Sequence, residues 1–316
     1  MKVLTKSNVQ FENIFIKDNI DKSNKSMLLT DLLDEYIYET YNKSEDHRND
    51  AYGEKLERYF HPSQLGKAFC ARKLVYEFLE APFNEDLKFY SALTHRVFHN
   101  GAYTHKRIQS YLADLDSFTK GKCKLIGRWR CVCGAVYGYA KEGKKENEFW
   151  VPRPKKCKKC GVDGRAMEYK EAGIFLPDLR IKGKMDGVLE WKDEQWIIEI
   201  KSINQYQFQS LKNPPDYYIP QSDIYMMGSG IHKVIWLFED KSSQNIREFI
   251  TFHNIKNIES IIKLLVKVNK CIDEKKLPKR IEDKKLCKPC EYRGFCANEY
   301  TYEFIEKKKY LDEVGL

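Results

Sequence analysis

The sequence predicts an α/β fold, and three observations predict it. Two stretches, 183–202 and 232–253, place runs rich in Ile, Val, Trp and Phe around short polar connections, the pattern of paired strands. Around them, MLLTDLLDEYIYETY (27–41), the segment 89–115 and NIESIIKLLVKVNKCI (257–272) repeat apolar residues at helical spacing. Between 123 and 170 the chain becomes rich in glycine and lysine and pairs its cysteines, which predicts a metal-held insertion too small to bury a core of its own.

The stretch GKMDGVLEWKDEQWIIEIKS (183–202) organises the rest. Strands are expected at 186–189 and 196–201, joined by a turn at Lys192, Asp193 and Glu194. Side chains alternate along a strand, so Ile197, Glu199 and Lys201 share one face and Trp196, Ile198 and Ile200 the other. The expectation is one core face and one face carrying an acid and a base. Carboxylates from neighbouring strands, Asp186 and Glu199, can hold a divalent cation between them, and Lys201 can orient or deprotonate water beside it. That set suits phosphodiester hydrolysis.

A chain of 316 residues can bury a substantial core, as one large domain or two smaller ones. Its formal charge of +9 favours a polyanionic partner. Residues 1–30 lack the apolar run of a secretory leader, and no apolar stretch of 18 residues occurs, so the reading is a soluble cytoplasmic protein with no membrane partner. In that setting the ten cysteines point to metal rather than disulfides.

Residues 1–60 read as a polar N-terminal extension with one surface helix at 27–41, followed by a loop at 42–54. HPSQLGKAFCARKLVYEFLE (61–80) reads as a helix capped by Ser63, with Leu65, Phe69, Leu74, Val75 and Phe78 near one stripe and Cys70 inside it or at a break. In 89–115, Gly101 and His105 share a helical face, the glycine allowing close backbone approach. CVCG (131–134) and CKKCG (157–161) match a zinc ribbon in which Cys131, Cys133, Cys157 and Cys160 hold a tetrahedral Zn2+, with Cys123 as a substitute ligand. Lys141, Lys144, Lys145, Arg153 and four lysines at 155–159 could let the ribbon grip phosphates. In NPPDYYIPQSDIYMMGSG (213–230), Gln221 and Tyr225 lie four apart on a helix that Pro220 either begins or kinks. The tail holds Cys287, Cys290 and Cys296, an incomplete ligand set for which Cys70, Cys271 or Cys123 could supply the fourth thiolate.

These motifs, in order, resemble the RecB-like branch of the PD-(D/E)xK nucleases, and its iron-sulfur members in particular, such as the CRISPR-associated adaptation nuclease and AddB-type nuclease domains. The match runs through SQLGKAFCARKLVYEF with Cys70, GAYTH with His105, GKMDG with Asp186, EIK with Glu199 and Lys201, QSDIY with Gln221 and Tyr225, and the terminal cysteines, spanning 63–296. The resemblance implies a mixed central sheet flanked by helices, with a nuclease domain at 61–316 interrupted by the ribbon at 123–170. It implies Mg2+ or Mn2+ held by His105, Asp186, Glu199 and the carbonyl of Ile200, with Lys201 acting on the attacking water and Gln221 and Tyr225 orienting the strand or the site. It also selects Cys70, with Cys287, Cys290 and Cys296, as ligands of a [4Fe-4S] cluster that staples the domain's ends together. The function implied is a DNA exonuclease acting on single-stranded ends in phage or bacterial replication, recombination or repair. No GxxxxGK[ST] motif accompanies it, so a helicase or single-strand-binding partner would be a separate chain. Two rivals stand beside this reading. One is an adaptation nuclease that trims CRISPR spacers with integrase-type partners; the other is a non-catalytic nucleic-acid-binding protein in which the ribbon does the work.

Overall fold

The computed structural model describes residues 29–43, 58–65, 70–79, 81, 91–138, 150–281, 283–288, 290–298 and 301–305. The loop expected at 42–54, the lysines at 141, 144 and 145, and Phe69 lie wholly or largely outside these residues.

A mixed sheet forms the centre, flanked by helices. Its backbone is β7 (Gly187–Trp191), β8 (Glu194–Ile203), β9 (Lys233–Asp240) and β10 (Ile246–Phe252), with β1 (Cys123–Arg130) on the far side of β7. β8 and β9 run parallel, with Glu199 opposite Trp236 and Lys201 opposite Phe238, and the remaining pairs are antiparallel. A two-residue turn joins β7 to β8, with Lys192 at φ 54° and Asp193 at φ 60°, the left-handed pair that a tight hairpin needs. The sequence placed the turn at Lys192 and Asp193 but also gave it Glu194, which begins β8, and it set the first strand at 186–189 instead of Gly187–Trp191. Asp186 lies at the bend between β6 (Ile181–Met185) and β7, and β6 pairs instead with β5 (Ala172–Leu176) in a separate ribbon.

Both faces of the sheet are covered, so β8 has no solvent face. Ile197 and Ile203 pack with Val234, Trp236 and Phe238 under α2 (Ala71–Leu79), α5 (Ile219–Ser229) and α6 (Ile255–Asp273). Trp196, Ile198 and Ile200 pack on the opposite side against Ile108 and Leu112 of α3 (Ala92–Phe118). Glu199 is therefore only 2% exposed, so the face expected to carry the acid and the base is covered as well as the core face.

The helices follow their local chemistry. Ser91 caps α3 by accepting from the Thr94 N–H at 3.2 Å, and α3 runs 27 residues to Thr119. Among the described residues nothing comes within 4 Å of the Cβ position of Gly101, so no close backbone approach of the kind expected is made there. Pro220 begins α5 in its first turn rather than kinking it. The helix expected at 61–80 is split into a short 3-10 turn, Pro62–Leu65, and α2, with Cys70 just before α2. The 3-10 turn crosses β6 at Gly183, where a Cβ would meet Pro62 at 2.7 Å. N-terminal helix α1 (Leu29–Lys43) lies along α3 through an Asp34–Arg96 ion pair and Tyr41 against His99 at 4.4 Å.

The inserted ribbon grows from the sheet. β1 pairs with β7 at one end and, at the other, with β2 (Val136–Tyr137), β3 (Val151–Pro152) and β4 (Glu168–Lys170). The range 123–170 thus includes a full strand of the central sheet, and Cys123 is buried at its start, away from the ribbon's other thiols.

Candidate metal and catalytic centre

Asp186 stands where the chain leaves one ladder for another. Beyond Gly187, which pairs with Ile198, β7 no longer covers β8, and the Asp186 carboxylate takes over: Oδ2 accepts the Ile200 N–H at 2.7 Å. Oδ1 lies 3.1 Å from His105 Nδ1 on α3. Burial lowers the His105 pKa, but the hydrogen bond and charge of Asp186 outweigh it and leave it raised.

A second carboxylate joins them that the sequence did not single out. Glu171, between β4 and β5 (Ala172–Leu176), offers an oxygen that lies within 4.8 Å of ligand atoms of both His105 and Asp186, close enough for the three to share one ion. Gln109 Nε2 ties the group together, donating to the Asp186 carbonyl at 2.8 Å and to Glu171 Oε1 at 3.3 Å. Arg128 on β1 donates to the Glu171 carbonyl, 2.8 Å from Nε. Burial and the Asp186 charge push the Glu171 pKa up. Gln109 left a signal in the sequence, whereas Glu171 is brought in by strand register alone. Ala172 pairs with Met185, so Glu171 and Asp186 are the next residues beyond the last rung of that hairpin. Gln109 follows His105 by four residues on the same helical face.

Glu199 belongs to a second, adjoining group. Its Oε1 accepts from Lys201 Nζ at 2.6 Å and from Gln221 Nε2 at 2.9 Å, while Oε2 is buried with no hydrogen-bond partner. Burial, then the Asp186 charge, push its pKa up to about 7 against the opposing pull of Lys201. Lys201 and Gln221 hold Oε1 on their side, and Glu199 does not enter the three-residue group at 4.8 Å. Gln221 Oε1 accepts from Lys201 at 3.3 Å, and its Nε2 also donates to the Tyr225 hydroxyl at 3.3 Å. Gln221 and Tyr225 are both buried. The Tyr218 ring lies under Lys201 Nζ at 4.7 Å. At Ile200 the group seen at work is the N–H.

The four ribbon thiols converge. Sγ of Cys131 lies 3.6 Å from Cys160 and that of Cys133 3.6 Å from Cys157, and all four fall within 4.8 Å of one another. Each pair rides a tight loop ended by a left-handed glycine, Gly134 at φ 83° and Gly161 at φ 76°. Tyr137 donates to Cys157 Sγ at 3.3 Å and leads the effects that lower that thiol to about 6. Cys131 is pulled down by the Cys133 backbone but driven up to about 12 by burial and its neighbouring thiols. Four thiols this close would release their protons when a cation binds between them. This cluster of four cysteines could bind a metal ion.

Cys271 lies on α6, whereas Cys70 precedes α2 and Cys287, Cys290 and Cys296 lie in the tail. Tyr76 packs on Tyr292 and Phe295, and Lys73 pairs with Glu291 at 3.0 Å. Cys296 touches the Tyr76 hydroxyl, and the Cys287 carbonyl accepts from the Cys290 N–H at 3.3 Å. Among the described residues, these thiols do not close to the spacing of a single-ion site.

No protein-family model and no curated protein matches the chain. The solved structure of SSO0001 aligns at 15% identity over 87% of this chain and 98% of that one, with a TM-score of 0.42. An alkaline exonuclease (LHK-Exo) from Laribacter hongkongensis aligns at 18% identity over 34% of this chain and 57% of that one, with a TM-score of 0.29. Its complex with dAMP aligns at 17% identity over 33% and 55%, with a TM-score of 0.28. Likenesses this distant assign neither activity nor substrate. Among the described residues no helix is long and apolar enough to cross a membrane.

Proposed function

We propose that this protein is a Mg2+- or Mn2+-dependent deoxyribonuclease, an exonuclease that hydrolyses phosphodiester bonds at single-stranded ends in replication, recombination or repair. One observation carries the reading: a fully buried carboxylate oxygen, Glu199 Oε2, is left without a partner beside a converging His105, Glu171 and Asp186. Leaving such an oxygen unpaired is costly, and a cation that it faces removes the cost. Oxygen donors with one imidazole suit Mn2+ or Mg2+. His105, Glu171, Asp186 and Glu199 would hold the ion, joined by the Ile200 carbonyl. Bound there, it would neutralise phosphate charge and make water acidic enough to act as a nucleophile near neutral pH.

The chain's own groups do the rest. Lys201, fixed by Glu199 and Gln221, presents Nζ to position the attacking water and offset charge growing on the phosphate. Gln221 and Tyr225 hold that pair in register, and Gln109 fixes Glu171 against Asp186. The net charge of +9 suits a DNA partner.

Two metal groups complete the proposal. Cys131, Cys133, Cys157 and Cys160 would hold Zn2+ as the ribbon's structural centre. Cys70, Cys287, Cys290 and Cys296 would ligate a [4Fe-4S] cluster joining α2 to the tail. The nuclease domain would span 61–316 with 1–60 as an extension, acting in the cytoplasm alone or with a helicase, a single-strand-binding protein or an integrase-type partner.

End-labelled single-stranded DNA incubated with the anaerobically purified protein and Mn2+ tests the assignment. The wild type should shorten the label, and folded Asp186→Ala and Lys201→Ala proteins should not. Undiminished cleavage by both variants would sink it, and binding without cleavage under any metal would favour the ribbon as a non-catalytic binding module.

A further inference from the structure

One step along β8 from the catalytic lysine, a cleft of about 250 Å³ opens between α4 (Gln205–Ser210), the loop leading to α5 and the ends of β8 and β9. Lys201 and Ile203 share a strand face, roughly 6–7 Å apart, so the cleft begins where the lysine ends. Ile203 and Phe238 form its floor, and Tyr217 and Tyr218 its wall. Tyr218 is the ring that lies under Lys201 Nζ, and it therefore borders both the catalytic group and the cleft. Gln207 and Asn213 stand exposed at the rim, where an amide can offer both donor and acceptor. The cleft is preformed: Arg247 Nη1 donates to the Phe208 and Leu211 carbonyls at 2.8 and 2.7 Å and pins the end of α4.

The volume is just below the roughly 300 Å³ at which pockets for drug-sized ligands begin, which limits the occupant to about one ring system. An apolar floor, an aromatic wall and amides at the mouth match one flat heterocycle with polar edges, the character of a nucleobase. Tyr217 is 37% exposed, and its ring packs at a tilt on Tyr218 with centroids 4.4 Å apart, so the two form one aromatic surface.

We propose that this cleft seats the base of the terminal nucleotide, placing its phosphate at Lys201. The inference rests on the nuclease reading and deepens it: the enzyme would recognise an end by burying one unpaired base, whatever its identity. Paired bases in a duplex cannot enter without unstacking, so the cleft would also explain a preference for single strands.

Binding and cleavage separate the two claims. Oligonucleotides ending in 2-aminopurine or in an abasic residue are titrated into the full-length protein in EDTA, where no cleavage occurs, followed by fluorescence and anisotropy. The base-bearing end should bind on the order of tenfold more tightly than the abasic end, with its fluorescence quenched. Tyr217→Ala, and independently Leu211→Trp, which narrows the cleft, should reduce that preference towards unity. Equal binding of the two ends by the wild type, or a preference that survives both substitutions, would overturn the proposal. Cleavage of the same oligonucleotides in Mn2+ reports on the nuclease reading alone: its loss with the base preference intact would count against that reading and not against the cleft.

Discussion

The molecule gathers candidate metal ligands in two places and builds the two sets in opposite ways. The ribbon brings Cys131, Cys133, Cys157 and Cys160 together from two tight loops, each closed by backbone hydrogen bonds of 2.8–2.9 Å and a left-handed glycine. The centre at Asp186 draws His105 from α3, Glu171 from between two strands, and Glu199 with Lys201 from the middle of the sheet. In the ribbon the ligands make the structure. In the other centre the structure makes the ligand set, with hydrophobic packing on both faces of β8 holding it. Removing metal should therefore unfold the first and leave the second standing.

The largest effects should come from the chemistry of the packed centre. Lys201→Ala or Asp186→Ala should lower the cleavage rate by on the order of 10²- to 10⁴-fold while the far-UV circular dichroism stays that of the wild type. A comparable loss of circular dichroism would erase the contrast drawn here. The reverse is expected for Cys133→Ser combined with Cys157→Ser: zinc content falls to zero and amide exchange in 131–162 becomes fast, while protection in β8 and β9 persists.

A smaller effect sharpens the role of Glu171. Glu171→Gln keeps the side chain's shape and its neighbours but removes a charge, and Mn2+ affinity read by electron paramagnetic resonance should fall about 10- to 100-fold. Unchanged affinity would return the centre to the His105, Asp186 and Glu199 set alone. Gln109→Ala, which frees Glu171 and the Asp186 carbonyl, should weaken Mn2+ binding by less than Glu171→Gln does.

The smallest expected effect is on pH dependence. Burial lifts Glu199 from 4.5 to about 7, so between those values the folded, metal-free protein binds a proton that the unfolded chain has released. That group's contribution to stability is present at low pH and is lost as pH rises through about 7. Melting temperature of the metal-free protein should fall from pH 5 to pH 8 by more in the wild type than in Glu199→Gln. Metal needs the ionised carboxylate, so Mn2+ affinity should rise over the same interval.

This contrast also explains what could be read from sequence. The ribbon was legible because its ligands lie two and three residues apart and each glycine marks its own turn. His105, Asp186, Glu199 and Lys201 could be named because they sit in short motifs, and the hairpin around Lys192 and Asp193 showed in its alternation. Glu171 was hidden because its proximity to Asp186 depends on the register of β5 against β6, neither of which was expected. The burial of Glu199 was hidden because alternation along β8 cannot tell a strand with one covered face from one covered on both, and only the helices docked on each side decide it. β1 was absorbed into the insertion because the cysteines that follow it dominate the local pattern.

The most direct test of the central claim is a single chelation titration on the anaerobically purified protein, reading cleavage of end-labelled single-stranded DNA and zinc content together. Mild EDTA should abolish cleavage while zinc stays bound, with melting temperature barely changed, and added Mn2+ should restore the activity in full. Cleavage that persists after all divalent metal outside the ribbon is gone, or that disappears only in step with the ribbon's zinc, would contradict the account.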